Sequence, residues 1–340
     1  MKRDLLSYLR CPDCGAKLVL ADARECDGQI TDGFLSCGIC AAQYPIRAGI
    51  PRFLPPNLES GKADTAKRFG AEWRLFSLLN DSYEKGLIKD FLFPLTLDIF
   101  KGASVVEIGC GAGRHLLQAA RSGACPVIGV DLSSSVEVAY ERTRDVPNIH
   151  IVQADGCRLP LCRDFDLIFS IGVLHHMPEP RKGFETSSVH TRSGGIVTHT
   201  VYGKENNEWI ERYVNPIRSR VTSRLPAWAL YPLSLGMAIL LYPALRLLYR
   251  PANEWSFLKP LSTRLFYNDF LYWLAKLGFR VTWLQIYDQL TAPIAHLIPR
   301  DEIEQWFQAG ALTNTRLHWR NRNCWNFSGV VRHADNSAQK

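Results

Sequence analysis

The sequence predicts an α/β fold: a mostly parallel sheet covered by helices on both faces, preceded by a small cysteine-rich unit and interrupted late by a largely helical insertion. Three features predict it. From residue 103, short apolar runs alternate with amphipathic stretches, the pattern of repeated strand–helix units. Two Cys-x-x-Cys pairs precede them, and Leu225 to Leu245 run 21 residues without a charge.

The bulk numbers agree with a globular chain larger than one small domain: 340 residues, 46% hydrophobic and 21% charged. A net charge of +7 reads as a solvated basic exterior, compatible with nucleic acid or an acidic membrane surface. The start, "MKRDLLSYLRCPDC", reaches an acid and then cysteines without an apolar core, so it does not read as a secretory signal. Ten cysteines without such a signal suit thiols kept reduced in a cytoplasm.

In residues 1–56, Cys11 and Cys14 sit in "CPDC" and Cys37 and Cys40 in "CGIC". Two such knuckles can present four thiolates tetrahedrally to one zinc ion, with Gly15 and Gly38 easing the turns. One pair alone could be a redox motif; two at this separation point to zinc. Cys26 reads as a bystander. The unit has few large apolar side chains, so the zinc is expected to be structural. Its end, "YPIRAGIPRFLPP", reads as a final strand leaving into a proline-rich linker. The knuckles and "YPIRAGIPRFLP" resemble the small zinc-ribbon module that activates tRNA and translation-factor methyltransferases, and that in bacteria is often fused ahead of a methyltransferase. Residues 57–100 form a linker and a helical cap, in which "RFGAEWRLF" (Phe69, Trp73, Phe76) is either a cover over a ligand or core packing.

The main sheet follows. "ASVVEI" is a strand and "GRHLLQAARSG" a helix closed by Gly123; "PVIGVD" is the next strand, and serines open the helix "SSSVEVAYERTR". "NIHIVQ", "FDLIFSI" and "GGIVTHTVY" add three more strands. Gly109, Gly111 and Gly113 turn the chain from the first strand into a helix, where a ligand meets the helix N-terminus. A nicotinamide-dinucleotide turn needs glycine at its sixth position, which here is Arg114. Glu107, two residues ahead of the first glycine, would repel a pyrophosphate and welcome a cation. S-adenosylmethionine (SAM) carries an ammonium and a sulfonium and no phosphate, so SAM is the expected ligand. Asp131 ends the second strand, where an acid bonds a ribose diol. Asp155 ends the third, placed for the adenine amino group, although alone it also reads as a loop or cap residue. Leu132, Gly156 and Ile171 are expected beside the cofactor.

"VVEIGCGAGRH", "VIGVDLS", "QADGCRLPL", "FDLIFSIGVLHHMPEP" and "SGGIVTHTVYG" look like the successive motifs of class I SAM-dependent methyltransferases. The subgroup they most resemble includes quinone-biosynthesis and small-molecule O- and C-methyltransferases. The resemblance covers 101–203, resumes at 300–332, and implies a Rossmann-like, mostly parallel sheet with an antiparallel edge. Two departures are the turn "TRSGG", without the family's usual proline, and the polar helix "RKGFETSSVHTR".

Methyl transfer needs an aligned nucleophile and, for a protonated acceptor, a base. His175 and His176 follow the fourth strand; one is a candidate base, and packing to hold the loop is the competing reading. The insertion 204–298 is expected to be a lid over the pocket, ahead of the closing helix and strands at 299–332 and a disordered tail at 333–340. Within it, Leu225 to Leu245 are long enough to span a membrane and are flanked by Arg218, Arg220, Arg224, Arg246 and Arg250. Pro226, Pro232 and Pro243 are read as breaking the run, giving an amphipathic or hairpin lid that touches membrane or lines an apolar pocket. Asp288, Gln289 and His296 are candidate acceptor contacts, or else are satisfied internally. The expected function is methyl transfer to a small or lipid-linked, partly apolar metabolite in the cytoplasm, with peripheral contact at the inner membrane surface through 225–245. The alternatives are an rRNA or tRNA base methyltransferase and a non-catalytic SAM-binding regulatory protein. An apolar lid is a poor surface for RNA, and the ribbon lacks interleaved basic and aromatic residues, so nucleic acid is not expected as a partner.

Overall fold

The computed structural model describes residues 1–55, 57–76 and 81–332; the expected tail 333–340 lies outside them. The cysteine unit contributes β1 (Leu18–Cys26), β2 (Gln29–Cys37), β3 (Gln43–Arg47) and β4 (Ile50–Phe53). Helices α1 (Ser60–Leu75) and α2 (Asp81–Leu92) lead to β5 (Val105–Ile108), α3 (Arg114–Arg121), β6 (Val127–Asp131), α4 (Ser135–Thr143), β7 (Ile149–Ala154), β8 (Phe165–Ile171), α5 (Pro180–His190) and β9 (Thr191–Tyr202). The insertion holds α6 (Asn215–Arg220), α7 (Ala227–Ala244), α8 (Arg250–Glu254), α9 (Lys259–Ser262), α10 (Asn268–Leu277) and α11 (Phe279–Thr291). The chain closes with α12 (Arg300–Ala309), β10 (Leu312–Arg320) and β11 (Cys324–Val331).

The eleven strands of the described residues join one sheet, ordered β1-β2-β3-β4-β7-β6-β5-β8-β9-β11-β10. Strands β4 through β9 run parallel and β11 and β10 antiparallel: the parallel sheet that the pattern predicts, with the antiparallel edge that the resemblance implies. The central strands are buried along nearly their whole length, as strands with both faces covered by helices are. "TRSGG" is no simple turn: β9 starts at Thr191, opposite Phe165, and bulges until Ile196 faces Leu167.

The cysteine unit departs from expectation. "YPIRAGIPRF" is a hairpin, not one strand, because Ala48 (φ 51°) and Gly49 (φ 76°) form a tight turn between β3 and β4. β4 then pairs in parallel with β7 through Arg52–Gln153 and Phe53–Ala154. The unit is therefore an extension of the main sheet rather than an appendage. Its Leu5, Leu9, Ile30 and Ile46 share one apolar cluster with Val106, Ile128 and Val152 of the main sheet.

The prolines also fail to break the insertion. Ala227 to Glu254 form one continuous helix of 28 residues. Pro226 caps it, while Pro232 and Pro243 lie inside. Each internal proline removes a single backbone bond, and soon after Pro243 the winding loosens into a π-helical turn, Leu245–Tyr249.

Candidate active site at the carboxyl ends of the parallel strands

A cavity of about 230 Å³ opens where β5, β6, β7, β8 and β9 end. Its floor is the glycine turn. A Cβ on Gly109 (φ 73°) would lie 2.4 Å from Val173 Cγ2, and one on Gly111 (φ 50°) 2.8 Å from the Trp73 ring, so only glycine fits at either position. Gly113 does not reach the cavity. It precedes α3 with φ 74°, and its missing side chain makes room for Ala139.

Glu107 also lies behind the wall rather than in it. The carboxylate is 1% exposed; Oε1 sits 2.7 Å from His115 Nδ1, and Oε2 is buried without a partner. Burial raises its pKa, against the opposing pull of His115 and Arg114. His115 reaches the cavity in its place.

Asp131 binds the site together. Its Oδ2 accepts from the Gly111 N–H (2.9 Å), and Oδ1 accepts from the Ser133 N–H (2.8 Å) and hydroxyl (2.7 Å). Asp155 lines the cavity but is already engaged: Oδ2 accepts from Lys62 Nζ (2.8 Å) and Oδ1 from the Cys157 N–H (2.9 Å). That is the loop-holding arrangement, with the cap helix fastened over it. Leu132, Gly156 and Ile171 line the cavity. The side-chain-free cradle at Gly109 and Gly111 and the unpaired buried Glu107 Oε2 close behind it fit a cationic ligand without phosphate, which is the chemistry of SAM.

The opposite wall combines residues distant in sequence. Phe69, Glu72 and Trp73 of α1 line the cavity, and the Arg114 guanidinium lies 4.5 Å over the Trp73 ring. Phe76 packs instead against Trp283 and Tyr287. His175 and His176 separate into different environments. The Tyr202 N–H donates to His175 Nδ1 (3.3 Å), while His175 Nε2 is buried without a partner. His176 Nδ1 lies 2.6 Å from the Ile294 carbonyl, so that nitrogen carries the proton and Nε2 is the basic one. Burial pushes both imidazole pKa values down, and Asp288 partly opposes it at His176.

Asp288 is at the cavity, accepting from the Tyr202 hydroxyl (2.8 Å), which in turn accepts from the Gln289 amide (3.1 Å). His296 is not: its side chain is exposed, and only its backbone N–H takes part, donating to the His175 carbonyl (2.8 Å). The roof comes from α10 and α11, and no residue of 225–254 lines the cavity. The apolar run packs on the far side of α11, where Trp283 Nε1 donates to Ser234 Oγ (2.9 Å). The lid expected there is thus the second half of the insertion.

Sequence reasoning missed Tyr202, Glu72 and Arg320. Tyr202 ends β9, and the strand-end rule that pointed to Asp131 would have found it. Arg320, from β10, is buried between the Phe91 (4.2 Å) and Trp273 (4.5 Å) rings and pairs with Asp90; nothing local marks it. Glu72 is 1% exposed with Oε2 unpartnered, and burial, then Asp288, push its pKa well up. A carboxyl held neutral in the fold loses stability as pH rises above its unfolded value. Glu72→Gln is therefore expected to stabilise the protein by about 1–3 kcal/mol near neutral pH, a gain that disappears in acid below the unfolded carboxyl range. Melting curves across pH check this; a destabilised variant at pH 7 would contradict it.

Away from the cavity, Cys11, Cys14, Cys37 and Cys40 bring four sulfurs within 4.8 Å of one another. The Cys11–Cys40, Cys14–Cys37 and Cys14–Cys40 separations are 3.5, 3.4 and 3.7 Å. Four thiolates about 2.3 Å from a central zinc stand about 3.8 Å apart, so the cluster suits a closed tetrahedral site. Cys26 is exposed and outside it.

Residues 105–195 match the profile of a methyltransferase domain family. Similar curated proteins include the tRNA U34 carboxymethyltransferase of Pseudoalteromonas translucida, 32% identical over 34% of this chain and 38% of that protein. Another is the tRNA U34 carboxymethyltransferase of Shewanella baltica, 27% identical over 41% of this chain and 44% of that protein. The chain spans less than half the length of these relatives. Among solved structures, the complex between the Haloferax volcanii Trm112 methyltransferase activator and a methyltransferase aligns at 15% identity with a TM-score of 0.45, covering 80% of this chain and 99% of that one. The relatives' names overturn the expectation that nucleic acid is no partner: the similar curated proteins are named as tRNA-modifying enzymes, and an apolar insertion does not exclude RNA from the rest of the chain. With the glycine cradle and Asp131 inside it, the segment 105–195 is a methyltransferase domain whose cradle suits SAM.

Proposed function

We propose that the protein transfers a methyl group from SAM to a nucleoside of tRNA. One observation carries the activity: a single cavity joins the glycine cradle to a wall bearing His176, Tyr202, Asp288 and Glu72. The acceptor class is supported by the tRNA-modifying relatives and by the ribbon's resemblance to the tRNA-methyltransferase activator. SAM, when bound, supplies a methyl carbon activated by its sulfonium. The chain's residues do the rest. Gly109 and Gly111 admit the cofactor, Asp131 holds the turn and keeps about one lone-pair site, on Oδ2, for a ribose hydroxyl, and α1 with α10 and α11 excludes water. His176 Nε2 takes a proton from the acceptor, and the nearby Asp288 carboxylate favours the imidazolium that results. The cysteine cluster holds one structural zinc.

Asp131→Ala removes the ribose acceptor and frees the Gly111 amide, so SAM affinity is expected to fall by about 1–3 kcal/mol; calorimetry giving parental affinity would remove Asp131 from the site. The function is tested by incubating the protein with methyl-labelled SAM and tRNA from a strain lacking its gene, then analysing the digested nucleosides. Label in one nucleoside, absent with the His176 variant described below, supports the reading. Unlabelled tRNA alongside turnover of a small acceptor would overturn it.

A further inference from the structure

The helix Ala227–Glu254 is apolar enough over an 18-residue window to cross a membrane, yet only 22% of that window is buried. At 28 residues it is about 42 Å long. A helix apolar on every side belongs in a protein core or in lipid. This one has a single covered stripe, Leu230, Ser234, Ala238, Leu245, Tyr249 and Ala252, running its whole length. The remaining faces are bare: Trp228, Leu240 and Leu247 are 80%, 81% and 79% exposed, and Phe257 just beyond is 73% exposed. Soluble monomers rarely expose contiguous apolar patches beyond roughly a few hundred Å², and larger ones mark interaction surfaces.

Charge identifies the occupant. Residues 212–268 contain seven arginines and one lysine against one acid, Glu254, so the chain's entire net charge of +7 resides in this segment. Glu254 is itself paired with Arg250. Arg212, Arg220, Arg224, Arg246 and Arg264 are exposed around the apolar faces. RNA would take the arginines but offers nothing to Leu240 or Leu247. An anionic bilayer takes both, with apolar side chains below the headgroups and guanidinium groups on the phosphates.

We propose that residues 212–268 dock the protein on an anionic phospholipid surface, with the helix lying along the interface. It does not cross the bilayer, because its covered stripe keeps it against the protein from end to end. This inference is independent of the acceptor assignment.

The test is flotation of the full chain with phosphatidylcholine vesicles, with and without phosphatidylglycerol, at about 0.05 M and about 0.5 M salt. Binding is expected on the anionic vesicles and weakened by salt. Arg220→Gln with Arg224→Gln should reduce it by roughly tenfold or more, and Leu240→Asp with Leu247→Asp should abolish it while leaving SAM affinity at the parental value. Absence of flotation at low salt overturns the proposal, as does undiminished binding by the Leu240, Leu247 variant. Loss of tRNA retention or of self-association in that variant, without vesicle binding by the parent, would assign the surface to RNA or to a second copy and overturn it equally.

Discussion

Replacing His176 with glutamine is expected to lower kcat by about 10²–10⁴-fold while SAM affinity stays at the parental value. His176 lines the cavity with Nδ1 committed to the Ile294 carbonyl, so Nε2 is the nitrogen free to take a proton. Its ring lies 5.0 Å from that of Phe69, which fixes the orientation. His175 is the contrasting case: its Nδ1 accepts from the Tyr202 backbone, so its replacement is expected to show first in stability. Burial lowers the His176 pKa, and a base with a lowered pKa stays deprotonated further into acid. The acid limb of kcat/KM is therefore expected below the ordinary histidine value of about 6.5. A limb above that value, or a glutamine variant with parental turnover, would reduce His176 to a packing residue.

Removing the zinc is expected to destabilise the whole chain and not the ribbon alone. Elemental analysis should return about one zinc per chain. The Cys14→Ser, Cys40→Ser double variant should lose most of it, with Tm falling by roughly 5–10 °C. The fall reaches the methyltransferase domain because the ribbon's apolar residues share a cluster with the main sheet and β4 pairs with β7. SAM affinity should weaken without vanishing, since the cradle follows β5, which β7 and β6 separate from β4. Full metal content in the double variant, or an unchanged Tm, would reject the assignment.

Chemistry that acts over a few residues is legible along the chain. Glycines with positive φ at a strand–helix turn, an acid at the next strand end, and paired cysteine knuckles each owe their identity to local sterics or ligand spacing. The cradle, Asp131 and the four-sulfur cluster could therefore be placed before any coordinates. The tertiary structure decided whatever depends on two distant segments meeting. The Tyr202–Asp288 bond joins residues 86 apart in sequence, Glu72 reaches the cavity only because α1 folds across it, and Arg320 arrives from the antiparallel edge. Glu107 and Gly113 stepped back from the wall, and His296 turned outward, for the same reason: spacing along a strand or loop does not say which neighbour will cover a side chain. Composition marked Leu225 to Leu245 as apolar, but whether that surface lined the pocket or faced outward was set by α11, which covers one stripe of the helix and leaves the rest bare. Burial is a property of pairs of surfaces, and a linear sequence specifies only one member of each pair at a time.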